Sequence, residues 1–213
     1  MPAQSEPTVV LWTKTMPTPY PVYENEFFSR SVRTVYDVDG AQPPDPLPEV
    51  AASQTPRGAL VTASGRPVRA QYVLADVEVG GERVATDPVG VSLYRVGGPV
   101  VILNRVTGLY PNDTWSGKTV TYRRVECTGG SLAVQLQGDE SLFRTPQTIV
   151  ATEHGAPIGR AVIPLTGITT MTVPLVPRNG ACTVRFTVGR TAVPGPGDRR
   201  ELGAHFLSFT PSR

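Results

Sequence analysis

The sequence predicts an antiparallel β-sandwich, jelly-roll-like, over residues 57–213, preceded by a small mixed α/β lobe over residues 1–56. Three observations carry that expectation. Apolar residues alternate with period two in several segments: Leu132, Val134 and Leu136; Met171, Val173 and Leu175; Cys182, Val184, Phe186 and Val188. Such alternation puts one side of a strand against a core and the other toward water. Turn chemistry recurs every 8 to 12 residues, with Gly-Gly pairs at 80–81 and 97–98 and Asn-Gly at 179–180, as hairpins require. Glycine and proline, 21 and 22 of 213 residues, leave little room for long helices.

The first lobe has three textures. An apolar run, TVVLWTK, is followed by YENEFFSRSVRTVYDV, where the spacing of Phe27, Phe28 and Val32 predicts a short helix over residues 24–33. A helix that short needs a sheet to pack on. The prolines at 43, 44, 46 and 48 then make a stiff connector. From residue 58 the reading is strand, turn, strand: ALVTA, QYVLADVEV, ERVATD, VSLYRV and VVILNRV, then TVTYRRVEC, SLAVQLQ, TIVATE, RAVIPL, TTMTVPLV, CTVRFTV and AHFLSF.

Charge and composition narrow the function. Twenty basic residues against eighteen acidic ones give a net charge of +2, too even for a nucleic-acid partner. No stretch reaches the roughly 20 apolar residues of a membrane span, and VGGPVVIL at 96–103 has the length of a buried strand. The N-terminus lacks the basic and apolar regions of a signal peptide, so the chain reads as a soluble piece whose Met1 need not be the native start. His154 and His205 sit in no metal-binding spacing, and no phosphate loop, nucleophile elbow or HExxH motif is present. No cofactor is called for, with Ca²⁺ left open. Asp37-Val38-Asp39 has the form of a metal-diphosphate motif, but the βαβ units that should precede one cannot fit in 34 residues. A strand ending in an Asp-Gly turn is the stronger reading.

Two features are site candidates. In GLYPNDTWSG, residues 108–117, Tyr110 and Trp115 flank a turn-forming Pro-Asn-Asp-Thr. A Trp beside Asn112 and Asp113 suits a sugar, whose C–H face stacks on the ring while its hydroxyls bond to amide or carboxylate. A Trp or Tyr at a sandwich corner is more often a lid over the core. Tyr110 is expected to lean over that core, continuing the alternation from Val106 through Gly108, with Trp115 partly exposed. Cys127 and Cys182, the only cysteines, each lie at a strand end beside a glycine-containing turn. A disulfide and two buried thiols both fit, and compartment decides between them. In PGPGDRRELGAHFLSF, Asp198 can cap a turn, Glu201 can pair with Arg199 or Arg200, and Gly203 suggests a close backbone approach. Asp139 and Glu140 are adjacent, so on a strand they face opposite ways and cannot by themselves form a glycosidase pair.

Taken in order, ENEFFSRSVRTVYDV, GRPVRAQYVL, VSLYRVGGPVVI, GLYPNDTWSG, VTYRRVECTGGSLAVQL, CTVRFTVGRTAVPG and DRRELGAHFLSF resemble the C-terminal soluble region of large actinobacterial membrane glycosyltransferases that use polyprenyl-phosphate sugars. The resemblance covers about residues 20–210. It implies an extracytoplasmic β-sandwich accessory to a membrane-embedded catalytic domain, whose carboxylates lie in loops among helices this chain lacks, so no catalytic residue carries over. It also implies attachment to the cell membrane through a missing N-terminal region, and favours a Cys127–Cys182 bond. The expected function is therefore a non-catalytic module that binds or positions a glycan or polyprenyl-linked acceptor through Trp115, Tyr110, Asn112 and Asp113. The alternatives are a structural or protein-interaction domain packed on a membrane partner, and, ranked last, a small carbohydrate-active enzyme.

Overall fold

The computed structural model describes residues 8–13, 16, 32–41, 49–110 and 113–212, apart from the Arg33 side chain. The chain divides into two compact units, residues 1–104 and 105–213. The composition change near residue 56 falls inside the first of them.

The described residues of the first unit form one seven-stranded sheet. Its strands are β1 (Thr8–Trp12), β2 (Val32–Val38), β3 (Glu49–Gln54), β4 (Leu60–Thr62), β5 (Arg69–Ala75), β6 (Glu82–Thr86) and β7 (Ser92–Pro99), in the order β4-β3-β2-β1-β5-β7-β6. β1 pairs in parallel with both β2 and β5, and β2 with β3; the remaining pairs are antiparallel. The parallel centre explains the unbroken apolar run at β1. Val9 and Leu11 join one buried cluster while Val10 and Trp12 join another on the opposite side, so both faces of the strand are covered.

The expected α/β lobe is not seen: among the described residues of the unit there is no helix, and every regular element is a strand. The helix expected over residues 24–33, with Phe27 and Phe28, lies outside the described residues as far as Ser31, and Val32 and Arg33 open β2. The connector prolines at 43, 44, 46 and 48 also lie outside them. The Asp37–Asp39 segment ends β2 in a turn. Ala41 N–H donates to Asp37 Oδ1 at 2.5 Å, and Asp39 and Gly40 both have positive φ, 57° and 71°.

The second unit is a β-sandwich. Its strands are β8 (Asn104–Leu109), β9 (Ser116–Val125), β10 (Gly130–Gln137), β11 (Gln147–Glu153), β12 (Ala156–Ile163), β13 (Ile168–Leu175), β14 (Ala181–Val188) and β15 (His205–Ser212). A five-stranded sheet runs β12-β11-β14-β9-β8, and a three-stranded sheet runs β13-β10-β15. From β9 onward the chain changes sheet at every connection but the β11–β12 hairpin, the back-and-forth wrapping of a jelly roll. The predicted alternations supply the core. Leu132 and Val134 pair with Val173 and Met171 across β10 and β13, and with Leu136 and Leu175 they join Cys182, Val184, Phe186 and Val188 in one buried cluster. Phe206 and Phe209 of β15 and Phe186 of β14 meet edge to face, with centroids 5.7 and 6.2 Å apart, a preferred aromatic geometry.

Cys127 and Cys182 form a disulfide with Cα atoms 5.7 Å apart. β14 pairs with β9 and places Cys182 opposite Arg124. The chain leaving β9 then brings Cys127 alongside, its N–H donating to Gly180 O at 3.2 Å. The bridge ties the outgoing end of β9 to the start of its neighbour.

Candidate functional site

The connection between β8 and β9, residues 110–115, contains most of the sequence-derived candidates. Pro111 and Asn112 lie outside the described residues, so Asn112's proposed ligand role has no structural reading. The rest of the turn is held by hydrogen bonds. Tyr110 N–H donates to Trp115 O at 2.9 Å, and Trp115 N–H donates to Asp113 Oδ1 at 3.1 Å. The second bond is an Asx turn, the local chemistry for which Asp is selected at such corners.

The segment before β15 locks onto this turn. Ser116 N–H donates to Ala204 O at 2.9 Å, Gly203 N–H to Ser116 O at 2.7 Å, and Phe206 N–H to Thr114 O at 2.9 Å. Ser116 Oγ accepts from Ala204 N–H at 3.1 Å. The start of β9 in one sheet is thereby joined to the start of β15 in the other. Gly203 is required there: a Cβ would lie 2.7 Å from Gly117 O and 2.9 Å from Ser116 Oγ, the close approach that its isolated position suggests.

Side chains complete the corner. Arg200 Nη1 donates to Asp113 Oδ2 at 2.9 Å, while its Nε and Nη2 fork onto Asp198 at 2.9 and 2.6 Å. The Arg200 fork, together with Arg200's own backbone N–H, pulls the Asp198 carboxyl down to about 2. The two carboxylates in turn raise the Arg200 pKa. Its guanidinium also lies 5.0 Å from the Tyr110 ring centroid, within cation–π range. The Tyr110 hydroxyl donates to Glu201 O at 3.2 Å. The His205 ring lies 3.7 Å from the half-buried Trp115 ring, centroid to centroid, and Thr114 Oγ1 is 2.7 Å from His205 Nδ1. Burial lowers the His205 pKa, and the charges of Asp113 and Asp139 oppose the shift.

The structure thus brings Tyr110, Asp113 and Trp115 together, with differences from expectation. Leu109, not Tyr110, packs against the core cluster with Val106. Gly108, at φ 94°, breaks the alternation, and a one-residue slip exchanges the faces of a strand. Tyr110 turns to Arg200 instead. Asp113 has both oxygens engaged, so it orders the turn. Asp198 caps through the Arg200 N–H at 3.0 Å as expected, whereas Glu201 accepts from Thr191 Oγ1 at 3.4 Å instead of from Arg199 or Arg200. Arg200 and His205 are the residues missed as members of the site: they lie 87 and 91 residues from their partners, and no local pattern links them. Asp139 accepts from Ser141 N–H at 2.7 Å and Oγ at 2.6 Å, and the hydroxyl bond leads in lowering its pKa. It caps a turn.

Among the described residues, no three His, Cys, Asp or Glu side chains gather as metal ligands, and no helix is long and apolar enough to cross a membrane. Neither a protein-family model nor a curated protein matches this chain.

Proposed function

We propose that the chain is a non-catalytic glycan-binding module, the extracytoplasmic part of a membrane glycosyltransferase, and that Trp115 is its sugar platform. The observation carrying this reading is the half-buried Trp115 indole, held against His205 on a corner that is hydrogen-bonded to the segment leading into β15. One part of the ring is anchored on His205, and an anchored aromatic loses little conformational entropy when a sugar stacks on it. The neighbouring carboxylates support binding over catalysis, because Asp113 and Asp198 are committed to Arg200. The disulfide supports an oxidising, extracytoplasmic setting. The acceptor glycan, or a polyprenyl-linked sugar, is the partner this reading implies, and the transferase portion is the other.

The test is Trp115→Ala on the intact chain, with melting and a panel of neutral envelope glycans. The expected result is a cooperative fold weakened by about 1 kcal/mol, the order of a lost ring pair, and glycan affinity reduced by about tenfold or more. Equal binding by the variant would remove Trp115 from the site. No binding by either protein would favour the alternative, a structural or protein-interaction domain.

A further inference from the structure

We propose that the outer face of the five-stranded sheet is a second binding site, one that takes an anionic saccharide unit on Arg185. A cavity of about 530 Å³ lies on this face, lined by Thr121, Thr152, Thr183, Thr187, Arg185 and His154. That volume falls within the range of about 300–1,000 Å³ typical of small-molecule sites. The site follows from strand register. Thr152 pairs with Arg185, and Arg185 with Thr121, so the three side chains form one row across β11, β14 and β9. Thr187 and Thr119 extend the adjacent row through Val150 to Arg160. The alternate positions, Val120, Val184, Phe186 and Ala151, are in the core.

Charge specifies the ligand. Arg123, paired with Thr183, and Arg160, paired with Val150, share the outer face with Arg185, whereas Lys118 and Arg124 are in phase with the core residues Val120 and Tyr122. The five strands carry one carboxylate, Glu153. Glu153 is buried, in phase with Ile149 and Ala151. The three-stranded sheet has no Lys, Arg, Asp or Glu in any strand. Arg185 is exposed and makes no ion pair among the described residues. A planar guanidinium with spare donors binds a carboxylate or phosphoryl group through two parallel hydrogen bonds. Threonine hydroxyls on both sides of it both donate and accept, which suits sugar hydroxyls. A recess walled mainly by threonine methyl groups, with hydroxyls among them, fits the C–H faces and hydroxyls of a sugar bearing one anionic group better than it fits a flat lipid surface.

This site is independent of the Trp115 reading and stands if that corner binds nothing. The test is a titration of the full chain, followed by amide NMR shifts, with glucuronate, glucose 6-phosphate, glucose and inorganic phosphate. We expect saturable shifts at Thr121, Thr152 and Thr183 with both acidic sugars, and binding of glucose at least tenfold weaker. The tighter of the two acids identifies a carboxylate or a phosphoryl group as the natural anion. Arg185→Ala should lose at least tenfold in affinity with an unchanged melting temperature, Arg185→Lys should lose part of it, and Trp115→Ala none. Four results would overturn the proposal. They are no saturable binding of either acid, glucose or phosphate binding as tightly as the acidic sugars, an Arg185→Ala variant that binds normally, and Arg185-dependent binding only to vesicles of anionic phospholipid.

Discussion

The Trp115 corner and the outer face around Arg185 use similar side chains to opposite ends. At the corner Arg200 meets two carboxylates and an aromatic ring, and both Asp113 oxygens are bonded. On the sheet face Arg185 stands in a row of threonines with no carboxylate beside it. The first arrangement spends its polar groups on closing the fold and leaves only part of an indole open. The second uses the Thr152 hydroxyl, which donates to Arg185 O at 3.3 Å, and leaves the Arg185 guanidinium to a ligand. An arginine beside an aromatic therefore does not mark a binding site by itself; what marks one is hydrogen-bonding capacity that the fold does not consume.

The two ends of β9 are held differently, one by the corner and the other by the disulfide. Breaking Cys127–Cys182, by reduction or as Cys182→Ser, opens a loop spanning 55 residues, and the chain-entropy relation sets its cost at about 4 kcal/mol. Calorimetry with and without reductant should show the sandwich melting at a much lower temperature. An unchanged transition would mean that the corner and core alone hold the ends of β9.

Gly203→Ala attacks the other end. Its Cβ would meet the Gly117 carbonyl and Ser116 Oγ inside van der Waals contact, so the backbone must move, at a cost of about 1–3 kcal/mol. Denaturant unfolding measures the loss, and Trp115 fluorescence should report a loosened ring. A variant as stable as the parent would show that the approach of β15 to β9 is not tight.

The smallest effect expected is on pH. The folded His205 pKa is below its ordinary 6.5 because the ring is partly buried. The unfolded chain therefore takes up that proton first as pH falls, and stability is lost from about 6.5 downward toward the folded value. Melting temperatures between pH 7 and 5 should fall in the parent, and His205→Gln should flatten part of that slope. An identical slope in the variant would place the titration elsewhere.

Local patterns made much of this molecule legible. Alternation in Leu132–Leu136, Met171–Leu175 and Cys182–Val188 marks strands, and in each the apolar member is the buried one. The Asp39-Gly40 turn and the close packing of Gly203 likewise follow from a residue's own conformational or steric character. Two cysteines allow only one internal pairing, but the residues alone leave two free thiols equally open, and the bond is a finding of the structure. Alternation does not say which sheet a strand joins. Strands β4 to β7 have the same texture as those after residue 105, yet they complete the first sheet.

What the sequence by itself determined is therefore the all-β character of the second unit, its turns and its core positions, because period and turn chemistry act over a few residues. The tertiary structure alone decided the parallel placement of β1, the slip at Gly108 that sends Leu109 and not Tyr110 to the core, and the meetings of Arg200 with Asp113 and of His205 with Trp115. It also decided which threonines stand beside Arg185. The pairings and side-chain meetings among these join segments 24 to 91 residues apart, and register is set by how whole sheets bury their apolar faces, not by any side chain's neighbours along the chain.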